Sequence, residues 1–245
     1  NRPNWFVKSG QINGNVQNIA WKNLDLNRKN DFLIVHGGPP CQPFSTSGRQ
    51  LGKSDERDMV PEFFRCVTDL KPDAFCMENV PALGNKKFSP YLDQFLKIKP
   101  KYYVRIFKMF APLFGVPQRR ERLFIVGFRD KNAFSRFKVP VPTHNISNFV
   151  NMSKTLKKYV KFYKGMDQSS LPHTYGMREA IGLNLSYEDN LSPTFRSGFT
   201  GPRNSTSILN GASSQKVFKN MGIWGNGIAP TISDALNFPT PDGTV

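Results

Sequence analysis

Residues 31–35 read Asp-Phe-Leu-Ile-Val, a short unbroken apolar run that stops at Gly37, Gly38, Pro39 and Pro40. A run of that length closed by turn residues predicts a buried parallel strand opening into a loop. Residues 74–77 repeat the pattern after Lys71, Pro72 and Asp73, and lead into Glu78-Asn79-Val80-Pro81. Between the two runs, residues 59–70 set Phe63, Phe64, Val67 and Leu70 at helical intervals, which predicts a strand, helix, strand unit. A further helix is predicted over 91–98, and two more strands over 102–107 and 123–128 flank a loop at 115–120. This alternation predicts an α/β fold with a doubly wound sheet, whose functional residues collect at the C-terminal ends of strands.

The texture changes near Thr143 and His144, after which Ser, Thr, Asn and Gly dominate and the alternation stops. The prediction there is a smaller segment, irregular or β-rich. Charge follows the same boundary: residues 1–145 carry 24 basic and 12 acidic side chains, against 10 and 6 in 146–245. With 34 Lys and Arg against 18 Asp and Glu, the 245-residue chain has a formal charge of +16, a strong bias toward a polyanionic partner. An apolar fraction of 38% with 21 Phe excludes wholesale disorder. No apolar run reaches the roughly 18 to 20 residues of a membrane span, and nothing at the start resembles a signal peptide. Three cysteines without CxxC spacing and three histidines give no structural zinc site and no disulfide framework, so no metal is expected.

Candidate chemistry lies at the strand ends. Cys41 sits in Gly38-Pro39-Pro40-Cys41-Gln42-Pro43-Phe44-Ser45, a proline-stiffened loop that would present a thiol as a positioned nucleophile. Cys66 and Cys76 fall on the apolar helix and strand and are expected to be core. Glu78 leaves the neighbouring strand on the same rim, where partial burial would raise its pKa toward neutrality. In Gln118-Arg119-Arg120-Glu121-Arg122, strand alternation would put Gln118, Arg120 and Arg122 on one face and Arg119 and Glu121 on the other. Two guanidinium groups on one rim can hold a phosphate, a carboxylate or a ring carbonyl.

Taken in this order, Pro40-Cys41-Gln42, Glu78-Asn79-Val80 and Gln118, Arg120 and Arg122 resemble the PCQ, ENV and QxRxR motifs of the DNA (cytosine-5)-methyltransferase family. The resemblance covers residues 10–145 well and the remainder weakly. It implies a Rossmann-like S-adenosylmethionine-dependent methyltransferase sheet, here incomplete, with a smaller target recognition domain. The implied organisation is a partial catalytic domain over 1–145, a target recognition domain over 146–225 and the start of a return segment over 226–245. Catalysis would fall to Cys41, Glu78, Arg120 and Arg122, acting on a cytosine flipped out of double-stranded DNA. The implied cofactor is S-adenosylmethionine, met by Asn15, Val16, Pro40 and Val60. Asn15 stands where the family has an aspartate facing the adenine amine. DNA contacts are expected from Gln42, Ser45 and Gln118, and from Arg196 and Arg203 in the Ser/Thr/Arg-rich stretch 192–207, with the basic run at 86–108 tracking the backbone.

The family's glycine-rich cofactor loop and the acidic residue after its second strand are not found before Asp31. A fragment or processed piece is therefore expected, binding S-adenosylmethionine weakly unless a complementing chain supplies that loop. The resemblance further implies a restriction-modification setting in the cytoplasm, or in the nucleus if the source is eukaryotic. Competing classes are a cysteine hydrolase pairing Cys41 with His36, His144 or His173, a non-catalytic DNA-binding remnant, and a methyltransferase of the same fold acting on transfer RNA cytosine.

Overall fold

The computed structural model describes residues 14–24, 26, 32–40, 58–152, 154–163, 165–182, 189–192 and 220–221. Strand β1 (Ile34–Gly37) leads to helix α1 (Val60–Leu70), strand β2 (Ala74–Asn79), helix α2 (Ser89–Leu96), strands β3 (Tyr103–Phe110) and β4 (Glu121–Phe128), and helices α3 (Lys131–Arg136), α4 (Ser147–Met152) and α5 (Met177–Ala180). The strand order is β1-β2-β4-β3. β1 runs parallel to β2, pairing Gly37 with Met77, while β4 runs antiparallel to β2, pairing Glu78 with Phe124 and Asn79 with Leu123. The described sheet is therefore mixed.

Asp73 sets the register at one end of this sheet. Its backbone N–H donates to the Leu33 carbonyl at 2.9 Å, and its carboxylate accepts from the Leu33 N–H at 2.9 Å. The other carboxylate oxygen meets Arg129 at 2.8 Å, just beyond the end of β4. Helix α1 stops one turn earlier because Lys71 takes a left-handed conformation, φ 47°, and closes the helix onto Val67. The strand predicted over 31–35 is displaced: β1 begins at Ile34 and includes His36 and Gly37, and Phe32 precedes it, 62% exposed. Ile34 is itself 55% exposed, because β1 is the edge of the described order and lacks a covering neighbour.

The chain divides into two compact units, residues 1–107 with 123–137, and residues 108–122 with 138–245. The core of the first is aromatic. Phe63, Phe64 and Val67 of α1 pack with Phe75 and Met77 of β2 and with Tyr102, Leu123 and Ile125. Phe75 meets Phe64 and Tyr102 edge-on at centroid separations of 5.7 and 5.2 Å. Fully burying each such ring contributes about 1.5–3 kcal/mol. The core of the second joins Phe110 and Leu113 to Ile146, Phe149, Leu156, Tyr159, Tyr163 and Leu191. Beyond residue 145 the described residues are short helices and 3₁₀ turns, and β structure there is limited to the bridges Asn145–His173 and Gln118–Ser192. A β-rich segment is thus not what the described residues form; apolar positions such as Leu156, Tyr159 and Tyr163 recur at helical intervals rather than every second residue. Among the described residues no helix is long and apolar enough to cross a membrane.

Candidate functional site

Glu78 lies within the last two residues of β2, not after it, and is half-buried. The β1 to β2 pairing brings Gly38 level with it: a Cβ on Gly38 would stand 3.1 Å from Glu78 Oε2. Only a residue without a side chain accommodates that approach without displacing the carboxylate. One position further, Asn79 is 1% exposed. Its Nδ2 donates to the Pro39 carbonyl at 3.2 Å, and its Oδ1 accepts from the Val80 N–H at 2.8 Å. A buried amide satisfied from both sides is a fixed strut. It holds Pro39, two residues before Cys41, against the strand that carries Glu78. Cys41, Gln42 and Ser45 themselves lie outside the described residues. The sequence placed Asn79 in the Glu78-Asn79-Val80 motif without giving its side chain a role.

Of the other two cysteines, Cys66 is buried as expected, whereas Cys76 is only half-buried on β2. Burial pushes the Cys66 thiol up to about 11, the Asp69 carboxylate raising it further and Arg65 opposing. Burial also raises the Cys76 thiol, with Glu78 adding to the effect. At pH 8 a thiol titrating near 11 is about 0.1% thiolate, against roughly a quarter for an ordinary cysteine. A thiol reagent at pH 8 is expected to modify at most one of the three cysteines quickly in the native protein, with Cys66 and Cys76 reacting only after denaturation. Rapid uptake of two or more equivalents would contradict this environment.

The arginine motif belongs to the second unit. Its chain does not alternate as a strand across 118–122, because β4 starts only at Glu121. Before it come two tight three-residue turns, in which the Gln118 N–H donates to the Val116 carbonyl at 2.8 Å and the Arg120 N–H to the Gln118 carbonyl at 2.7 Å. Gly115 opens this loop at φ 83°, with the His144 ring where a Cβ would sit. Arg119 anchors the loop. Its N–H donates to the Ser192 carbonyl at 2.7 Å, Ser192 returns its own N–H to Pro117 at 2.8 Å, and Arg119 Nη2 donates to Asn190 Oδ1 at 3.0 Å. Arg120 and Arg122 are half-buried, and Arg122 Nη1 donates to the Glu121 carbonyl at 2.8 Å. Gln118 bridges Ser192. Arg196 and Arg203 lie outside the described residues. Of the histidines raised as a hydrolytic base, His144 shares its Nδ1 with Thr143 Oγ1 at 3.0 Å, while His36 lies on β1 and His173 bridges Asn145.

Asn15 is exposed and caps the 3₁₀ turn Val16–Asn18, its Oδ1 accepting from the Gln17 N–H at 3.0 Å. An amide oxygen has a second lone pair, so this side chain fits an exocyclic amine such as that of adenine without supplying a charge. Val16 beside it is half-buried and Pro40 is exposed, whereas Val60 is fully buried in the α1 core and would support a cofactor pocket from behind. Arg65, which the sequence did not single out, fastens this segment. Its Nη1 donates to the Ile19 carbonyl at 2.9 Å and its Nη2 to the Val16 carbonyl at 3.0 Å, while Glu62 holds its Nε at 2.7 Å. The guanidinium also lies 5.9 Å from the Trp21 ring centroid. Charged hydrogen bonds of this kind are worth about 1.5–3 kcal/mol each. Arg65→Met is expected to speed proteolytic cleavage within residues 14–24 by about tenfold or more, with α1 itself still protected. Unchanged cleavage would show that other contacts hold the segment.

Comparison with known proteins identifies the family. The profile of the C-5 cytosine-specific DNA methylase family matches residues 4–215. The Type II methyltransferase M.AquIA of Picosynechococcus sp. is 35% identical over 185 residues, covering 70% of this chain and 73% of that protein. The Type II methyltransferase M.NgoMIV of Neisseria gonorrhoeae is 37% identical over 148 residues, but there the chain spans only 43% of the relative's length. Among solved structures, S. pombe Dnmt2 methyltransferase is similar at 18% identity and a TM-score of 0.39, over 77% of this chain and 58% of that one. With the family profile covering most of its length and the three motifs in order, the chain belongs to the C-5 cytosine-specific DNA methylase family, a family of DNA cytosine-5-methyltransferases.

Proposed function

We propose that this chain carries the catalytic rim and target-reading part of an enzyme that methylates carbon 5 of cytosine in double-stranded DNA. The observation that carries the reading is the close approach of Gly38 to the Glu78 carboxylate, with Asn79 holding the intervening Pro39 carbonyl at 3.2 Å. That arrangement starts the thiol loop beside the one acid that a pyrimidine ring would need.

Carbon 5 of cytosine becomes nucleophilic only after addition at carbon 6. The Cys41 thiolate forms the C6–S bond, and the ring π electrons shift toward carbon 5. Glu78 bonds ring nitrogen 3 and the exocyclic amine, steadying the charge that develops there, and Arg120 and Arg122 serve the ring carbonyl and the Cys41 loop. Bound S-adenosylmethionine supplies an electrophilic methyl group. After carbon 5 is methylated it loses its proton to water, the C6–S bond breaks, and the thiolate and aromatic ring return. Asn15 and Val16 would hold the adenine end of that cofactor and Pro40 would add to its wall, with the buried Val60 supporting it from behind. Because carbon 6 is inaccessible in a stacked duplex, the base leaves the helix. Gln42, Ser45, Gln118, Arg196 and Arg203 are the residues assigned to DNA contact. The name Type II methyltransferase on the relatives places the proposal in a restriction-modification setting.

The decisive test is trapping. Duplex DNA containing 5-fluorocytosine and S-adenosylmethionine are incubated with the chain, together with any completing subunit its source encodes. Fluorine blocks the final elimination, so a covalent protein–DNA species that survives denaturation is expected. Methyl label recovered only on adenine, or trapping on transfer RNA and not on duplex DNA, would sink the proposal.

A further inference from the structure

Between Lys138 and Met166 the chain holds six basic side chains and no acidic one. Most of those lysines lie in the run of 3₁₀ turns Lys154–Tyr163. With three residues per turn, Leu156 and Tyr159 eclipse on one side, and both are buried in the core of the second unit. Lys157, Lys158 and Lys161 fall on the other two sides and are exposed. A solvated basic face needs nothing more, but this one is also clamped in place. Tyr159 stacks on Phe110 at a centroid separation of 3.6 Å, and its hydroxyl donates to Glu121 Oε2 at 2.8 Å. Lys158 reaches the same carboxylate oxygen at 3.5 Å. Glu121 is the residue between Arg120 and Arg122. One carboxylate therefore joins the basic face to the arginine motif and neutralises Lys158 alone.

We propose that Lys157 and Lys161 form a phosphate-gripping surface that continues the arginine motif of the same unit along the DNA backbone. The inference rests on the methylase reading above and adds a surface that its three motifs do not contain. Four 3₁₀ residues separate the backbones of Lys157 and Lys161 by about 8 Å along the axis and about 120° around it, within reach of two phosphate steps on one strand, about 7 Å of rise. Glu121 then has a role of its own. It is the acceptor that fixes the orientation of this face relative to the arginines on either side of it.

The test measures binding of the full chain to a labelled random-sequence duplex by anisotropy across a salt series. Each phosphate contact contributes about 0.9 to the slope of log affinity against log salt. The double variant Lys157→Gln, Lys161→Gln is expected to lower that slope by about 1.8 and to weaken binding tens of fold at low salt. The charge-conserving double variant Lys157→Arg, Lys161→Arg should keep the wild-type slope. Lys131→Gln with Arg136→Gln, the same charge loss on exposed positions of α3, should change it by less than about 0.5. An unchanged slope in the first variant, an equal fall in the α3 variant, or a lost slope in the arginine variant would each overturn the proposal. So would binding of poly-glutamate as tight as duplex, which would assign the face to an acidic protein. Wild-type chain that bound no duplex at all would instead strike the methylase reading itself.

Discussion

Cys41→Ala eliminates the covalent species on 5-fluorocytosine duplex and lowers methyl transfer by on the order of 10⁴-fold or more, the scale on which losing a covalent nucleophile acts. The reason is electronic. Without a C6–S bond the ring stays aromatic, and carbon 5 has no electron pair to offer a methyl donor. The proposed mechanism asks only a covalent role of this thiol, and truncation to alanine removes a single sulfur atom. The expected signature is thus a dead enzyme with an unchanged melting temperature and unchanged duplex affinity. The measurement is the trapped fraction on a denaturing gel beside a thermal melt. Substantial turnover by the variant would refute the thiol mechanism, and a collapsed melting temperature would show that the residue serves the fold.

Glu78→Gln is expected to reduce turnover by about 10² to 10³-fold, the usual cost of one preorganised group facing developing charge. The amide keeps the size of the side chain and its position beside Gly38, so packing is preserved while the charge is lost. A carboxyl can exchange a proton with ring nitrogen 3 and accept from the exocyclic amine; an amide does one of these poorly. The loss should fall on kcat, since the interaction strengthens as charge develops, and substrate KM should move little. A variant with wild-type kcat and a raised KM would make Glu78 a binding group and leave the ring without its stabiliser.

Particular residues show why part of this site was legible in the chain and part was not. The start of β2 and the end of α1 were recoverable because both are announced locally: Lys71, Pro72 and Asp73 break the helix, and apolar residues fill the following strand. The start of β1 was misjudged by three residues. An apolar run reports where a strand can form, but the register is set by Asp73, which bonds Leu33 from 40 positions away. The alternation assumed for Arg120 and Arg122 failed for a similar reason. The turns at 116–120 are imposed by Ser192, far along the sequence, and no local pattern signals that partner.

The sequence by itself determined the succession of strands and helices from β1 to β4 and the family, because each depends on neighbours within a few residues or on motifs of characteristic residue types. The tertiary structure alone decided how the motif segments are held. The Asn79 contact to Pro39 spans 40 positions, Arg65 reaches Val16 across 49, and Tyr159 meets Glu121 across 38. Such contacts follow from packing two cores, which brings distant polar groups into low-dielectric surroundings where each must find a partner. A period of two or of 3.6 residues carries no record of that pairing.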